Sequence, residues 1–247
     1  MISYRSLRPD ITQIFQYVFG RTKEMIIQRN NGQLNLEKQS FREDCESPKK
    51  MDNPDYMVAF SGLAKNYCIG LVDMVNSTKI SSEMNEIEWC QYYEIFLNSM
   101  AKILPRFGGR VIKNQGDSLL FYFPETSKDT KFGFMRCIES SQSLIEEHDA
   151  ICENLREKRL PGLDYRVSLD YGKVVIMKSS NSLSPDLIGP PVNMCAKINH
   201  LAQRNGVVIG GDLYQNVKEI KDYRYSQKKG FSIGLKYSYP IYEVTRS

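Results

Sequence analysis

In the run Gly108-Gly109-Arg110-Val111-Ile112-Lys113-Asn114-Gln115-Gly116-Asp117-Ser118-Leu119-Leu120-Phe121-Tyr122-Phe123, two apolar-rich segments flank a polar turn. Arg110 to Lys113 and Leu119 to Phe123 read as strands joined through Asn114-Gln115-Gly116-Asp117, which predicts a hairpin. Upstream, from about residue 80 to 107, Met84, Ile87, Tyr92, Ile95, Phe96, Met100, Ile103 and Leu104 recur at near-helical spacing, and Gly108-Gly109 ends the helix. Before it, Tyr67-Cys68-Ile69-Gly70-Leu71-Val72 is nearly continuous in apolar character, as a strand covered on both faces would be. Downstream, the pattern predicts a helix from about residue 128 to 159, a strand pair from Tyr165 to Met177 turning at Tyr171-Gly172, a helix from Val192 to Gln203, and a strand at Val207-Val208-Ile209. The order β-α-β-β-α-β predicts an α+β, ferredoxin-like split βαβ sandwich with helices on one face of the sheet.

The first 60 residues read differently. Asp10 is placed to cap a helix from Ile11 to Ile27 bearing Ile14, Phe15, Val18, Phe19 and Ile26 near one stripe, and residues 28–56 form a polar connector. The expected division is an N-terminal helical extension over 1–60 and one domain over 61–247. The chain has 247 residues, 41% of them hydrophobic and 25% charged, which suits a soluble globular protein. No run approaches the ~20 apolar residues of a membrane span, and no secretory signal is evident, so the default expectation is a cytoplasmic location. The net charge of +4 is too small to argue for a nucleic-acid partner; it is compatible with a small anionic substrate, and solvated surface lysines explain it equally well. Six cysteines lie scattered without a CxxC pair, against both a disulfide framework and a zinc site, and only His148 and His200 offer imidazole chemistry.

Two acidic residues stand at strand ends. Asp73 follows the first apolar run, and Asp117 follows the Asn-Gln-Gly turn of the hairpin. A carboxylate at the end of a buried strand is costly unless it is paired or binds a metal. If the hairpin lies beside the first strand, backbones about 4.8 Å apart would let the two carboxylates share ions about 3.5–4 Å apart, the two-metal arrangement of phosphoryl and nucleotidyl transfer. An Asx turn at Asp73 and a hairpin-turn aspartate at Asp117 are the plainer alternatives. Asn76, Ser77 and Thr78 enter a helix just after Asp73, where backbone N–H groups could hold a triphosphate.

The segments GLVDMVNST, GGRVIKNQGDSLLFYF, RVSLDYGKV, DLIGPPVNMCAKINHLA and GVVIGGDLY, in this order and at this spacing, resemble the catalytic domain of class III adenylate and guanylate cyclases over about residues 67 to 244. The resemblance implies that Asp73, Asp117 and the Met74 backbone carbonyl hold two divalent ions, Mg²⁺ or Mn²⁺. It implies that Lys113 and Asp186 read the base. A lysine donor and a carboxylate acceptor suit adenine N1 and N6, whereas guanylate cyclases typically place glutamate where Lys113 stands. Asn193 matches the ribose-orienting asparagine. Lys197, four residues on and on the same helical face, stands where the family has an arginine that stabilises the pentavalent phosphorus; lysine keeps the charge and loses the planar fork, and Arg204 is a possible substitute. Lys236 is the match to the triphosphate-binding lysine, with Lys228 and Lys229 competing. Ser77 replaces a phenylalanine usual at that position.

The implied reaction is closure of a nucleoside triphosphate to a 3′,5′-cyclic nucleotide at composite sites of a head-to-tail homodimer, the metal aspartates from one subunit and the base, ribose and transition-state residues from the other. Two other readings stay open: a pyrimidine cyclase making cyclic UMP or cyclic CMP as an antiphage messenger, and a catalytically weakened module that binds nucleotide or dimerises.

Overall fold

A computed structural model describes residues 57–180, 182, 184–228 and 239–247. The expected helix over 11–27, the connector over 28–56 and Lys236 lie outside the described residues. The elements in chain order are β1 (Val58–Met74), α1 (Ser77–Ser81), α2 (Glu86–Ile103), a 3₁₀ turn (Leu104–Phe107), β2 (Arg110–Gln115), β3 (Ser118–Phe123), a 3₁₀ turn (Pro124–Lys128), α3 (Lys131–Glu146), α4 (His148–Glu157), β4 (Tyr165–Ser179), β5 (Asp186–Ile188), α5 (Pro190–Asn199), β6 (Gly206–Gly210), α6 (Gly211–Val217), β7 (Tyr223–Gln227) and β8 (Ile241–Arg246).

The strands form one sheet in the order β2-β3-β1-β4-β6-β8-β7, with β5 paired to β4. The first strand therefore lies between the third and the fourth, which is the split βαβ arrangement expected from the sequence. β1 runs antiparallel to β3, with Asp73 opposite Ser118 and Gly70 opposite Phe121. Gly70 is required there: a Cβ would sit 2.3 Å from the Phe121 ring. The β2–β3 loop is only Gly116-Asp117, since Gln115 already pairs with Ser118, and Gly116 takes the positive φ of 63° that tight hairpin loops demand.

Residues 67–72 are all buried, as a strand covered on both faces requires. On one face Cys68, Val72, Phe121, Phe123, Val167, Leu169, Val207 and Ile209 pack with Tyr92, Phe96 and Met100 of α2 and Phe134, Cys137 and Ile138 of α3. Val208, pointing the other way, packs with Ile198 of α5. Helix α5 therefore covers the opposite face, which corrects the expectation of helices on one face only.

Other boundaries also differ from the sequence reading. The single helix expected over 80–107 is interrupted, because Asn85 starts α2 afresh: its side chain accepts from the N–H groups of Ile87 and Glu88 while Glu88 accepts from Asn85 N–H. The helix expected over 128–159 is two, α3 and α4, and the phenol of Tyr165 donates to the Leu144 carbonyl near the end of α3 (2.6 Å). The strand pair expected to turn at Tyr171-Gly172 is one strand; Gly172 has no positive φ and lies extended within β4. Helix α6 and strand β7 were not expected.

The chain divides into two compact units. The larger, residues 64–175 and 186–247, holds the core just described. Of the smaller, residues 57–63 and most of 176–185 are described; there Ser180 N–H donates to the Met57 carbonyl (2.8 Å). No helix among the described residues is long and apolar enough to cross a membrane.

Candidate active site

The β1–β3 register brings the end of β1 beside the tip of the hairpin, so Asp73 and Asp117 are neighbours. Burial pushes the Asp73 carboxyl up to about 6, the Asp117 charge pushes the same way, and the nearby Arg166 guanidinium opposes both. The hydroxyl of Ser77 donates to Asp117. Ser77 is buried and opens the five-residue helix α1. Its hydroxyl is thus turned onto the carboxylate, and Thr78 beside it is exposed. Asn76 holds a left-handed φ of 57°, the sharp bend by which the chain leaves β1 and enters α1.

Two carboxylates and a backbone carbonyl make an all-oxygen donor set, the preference of hard divalent cations such as Mg²⁺ or Mn²⁺. Among the described residues no group of three or more His, Cys, Asp or Glu clusters as a metal site; the acidic groups here are the two aspartates, with the Arg166 guanidinium nearby. Burial first, and the Asp117 charge second, raise the Asp73 carboxyl despite the opposing Arg166 guanidinium. Divalent cations fit such a site, because they would supply the missing positive charge.

Arg166 is a residue that the sequence reading did not assign. It begins the RVSLDYG segment on β4, and its Nε is buried with no hydrogen-bond partner. The available signal was an arginine inside an otherwise apolar strand, which rarely survives there without an anionic partner.

A second cluster joins β2 to β5. The ammonium of Lys113 is paired with the carboxylate of Asp186. The other carboxylate oxygen of Asp186 accepts from Leu187 N–H (2.8 Å). The register of β2 against β3 shifts between Val111 and Lys113; such a bulge re-aims the side chain next to it. Sequence alone gave no sign that Asp186 belongs to a short strand.

Asn193 and Lys197 are exposed on one face of α5. The helix begins at Pro190-Pro191, where proline costs no hydrogen bond. It is pinned to the sheet: Ser168 donates to the Cys195 carbonyl (2.9 Å) and Asn199 donates to Ser168 (3.2 Å). Arg204, weighed as a substitute for the missing arginine, is instead paired with Asp164 (3.1 Å). Lys228, weighed against Lys236, is paired with Glu243 (3.5 Å); Lys229 lies outside the described residues.

No protein-family model matches the chain. An adenylate cyclase of Glutamicibacter nicotianae is 28% identical over 140 residues, 57% of this chain and 29% of that protein. An adenylate cyclase of Streptomyces coelicolor is 22% identical over 147 residues, 59% of this chain and 32% of that protein. The chain thus spans about a third of the length of these relatives. Among solved structures, the adenylyl cyclase CyaB from P. aeruginosa superposes with a TM-score of 0.68 at 18% identity, over 75% of this chain and 96% of that one. The guanylyl cyclase Cya2 gives 0.64 at 19% identity, over 74% and 93%. The catalytic core of a rhodopsin-guanylyl cyclase with converted specificity, in complex with ATPαS, gives 0.63 at 18% identity, over 78% and 99%.

Proposed function

We propose that this chain, which has the fold of a class III nucleotidyl cyclase catalytic domain, is itself a nucleotidyl cyclase that closes a nucleoside triphosphate, ATP by preference, to its 3′,5′-cyclic monophosphate and pyrophosphate. The observation that carries the proposal is the meeting of Asp73 and Asp117 at the end of β1, with a buried, partnerless Arg166 nitrogen close by.

In this reading the ribose 3′-hydroxyl oxygen bonds to the α-phosphorus, the bond from that phosphorus to the β-phosphate oxygen breaks, and the hydroxyl proton passes to solvent. Asp73, Asp117 and the Met74 carbonyl hold two divalent ions, which when bound supply Lewis acidity at the hydroxyl and charge for the leaving pyrophosphate. Arg166 adds a fixed positive charge facing the polyphosphate. Ser77 orients the Asp117 carboxylate by its hydrogen bond, and Thr78 offers a hydroxyl beside the phosphates. Lys113 and Asp186, paired with each other without substrate, exchange that contact for the adenine N1 acceptor and N6 donor. Asn193 holds the ribose, Lys197 faces the developing charge on phosphorus, and Lys236 binds the triphosphate tail. Position and charge are what phosphoryl-type transfer chiefly needs.

The two sets of residues serve different sites in a head-to-tail homodimer, with 61–247 as the catalytic domain and 1–60 as its extension. Incubating the chain with Mn²⁺ and each of ATP, GTP, CTP and UTP tests the proposal. Cyclic AMP as the main product is expected. Dominant cyclic UMP or cyclic CMP would replace adenine by a pyrimidine, and nucleotide binding without product would leave a binding module.

A further inference from the structure

One peptide group joins the proposed metal site to the rest of the domain. The unit between Met74 and Val75 carries the Met74 carbonyl, the backbone ligand in the reading above, and the Val75 N–H, which donates to the Asp164 carbonyl at 2.8 Å. A trans peptide is planar with its C=O and N–H on opposite sides. Because β1 lies between β3 and β4, an N–H directed at the residue preceding β4 leaves the carbonyl directed to the β3 side, where the hairpin presents Asp117.

Asp164 is held more firmly than a loop residue need be. Its Oδ1 accepts from Asn205 Nδ2 at 2.7 Å and its Oδ2 from Arg204 Nη1 at 3.1 Å. Asn205 also accepts from Tyr165 N–H through its side chain (3.0 Å) and donates its own N–H to the Tyr165 carbonyl (2.7 Å). On the other side, His148 Nε2 lies 2.9 Å from the Leu163 carbonyl. The loop from 163 to 165 is thus fixed from the α4 side and from the α5–β6 connection.

We propose that Asp164, clamped by Arg204 and Asn205, is a positioning residue that aims the Met74 carbonyl at the divalent-cation site. The inference rests on the proposed cyclase reading, since without cations at Asp73 and Asp117 there is nothing to aim at. It assigns a use to an arginine and an asparagine that lie in the short gap between the segments DLIGPPVNMCAKINHLA and GVVIGGDLY. Asn205 holds a left-handed φ of 55° while its side chain bonds both Asp164 and Tyr165.

The test uses the full chain with Asp164→Ala, Asp164→Asn and Asn205→Gly. Glycine adopts positive φ without strain, so Asn205→Gly removes the Asn205 half of the clamp, leaves Arg204 on Asp164, and keeps the backbone path. Mn²⁺ binding is measured calorimetrically with a non-hydrolysable ATP analogue present, and exchange of the Val75 amide is followed by NMR. Asp164→Ala should weaken Mn²⁺ binding by about tenfold or more, the usual effect of losing a residue that orients a ligand. Val75 amide exchange should quicken in parallel. Asn205→Gly should shift both in the same direction by less, and Asp164→Asn, which keeps the acceptor for Asn205, should recover most of the loss. Wild-type Mn²⁺ affinity in Asp164→Ala and Asn205→Gly, with only a lowered melting temperature, would overturn the positioning role. Failure of the wild-type chain to bind Mn²⁺ would instead overturn the cation site on which it rests.

Discussion

Asp117 acts on Asp73: lying at the hairpin tip one position before the residue paired with Asp73, it adds its charge to burial and lifts the Asp73 carboxyl to about 6. Two acids that resist sharing a site without counter-charge are a common basis for cation binding, and the all-oxygen donor set favours hard ions.

This relationship fixes a pH dependence. A raised carboxyl is protonated more readily in the fold than in the open chain, so its contribution to metal-free stability is full below about 3.8 and lost as pH rises through about 6. Cation binding needs the ionised form. Mn²⁺ affinity should therefore strengthen by about tenfold between pH 5 and 7 and level off above, with protons released on binding near pH 5.5. Calorimetry in two buffers of different ionisation enthalpy checks this, and an affinity flat from pH 5 to 7 contradicts it.

The Lys113–Asp186 pair predicts the direction of a specificity change. Lys113→Glu replaces a donor by an acceptor, which suits guanine and opposes adenine. The ratio of kcat/KM for ATP over GTP should fall by roughly a hundredfold, since an unpaired polar group is left against the wrong base. An unchanged ratio would remove the pair from base recognition.

Lys197 keeps a charge and lacks the fork that grips two oxygens. Lys197→Arg should raise kcat by about tenfold with little change in the Mn²⁺ requirement. Equal or lower turnover in the arginine variant would show that another group has taken over the role, and Arg204, tied to Asp164, is poorly placed for it.

Asp170 offers a test independent of catalysis. It is almost wholly buried, accepts from the Tyr239 hydroxyl at 3.0 Å, and burial lifts its carboxyl to about 7 against hydrogen bonds that pull the other way. Its stabilising contribution is present below about 3.8 and disappears as pH rises through about 7, a cost of no more than about 4 kcal/mol. Asp170→Asn, isosteric and uncharged, should gain in melting temperature relative to the parent at pH 8 compared with pH 5. The same difference at both values would show that the carboxyl is not titrating in the fold.

Much of the fold was legible because period and punctuation agreed. The apolar run at 67–72 and the hairpin at 110–123 marked the strands that meet at Asp73, although the turn read as Asn114 to Asp117 is only Gly116-Asp117, because Asn114 and Gln115 pair within β2. What escaped notice depended on tertiary partners. Tyr171-Gly172 looked like a turn, yet β4 runs straight through it because its neighbours in the sheet demand an extended strand. Helix α5 could not be assigned a face from its own sequence; the alternation of Val207, Val208 and Ile209 settles it only once the clusters are known. Arg166 and Asp164 lay within or beside a quoted motif, and neither position announces that its neighbours in space are the acid pair and the peptide after it.

The most direct measurement compares cyclic-nucleotide formation by the parent chain with that of Asp73→Asn and Asp117→Asn under saturating Mn²⁺ and ATP, with circular dichroism to confirm that all three are folded. Product from the parent and a loss of at least about a hundredfold in each variant are expected. Turnover that survives either substitution would contradict the claim that these two carboxylates carry the reaction.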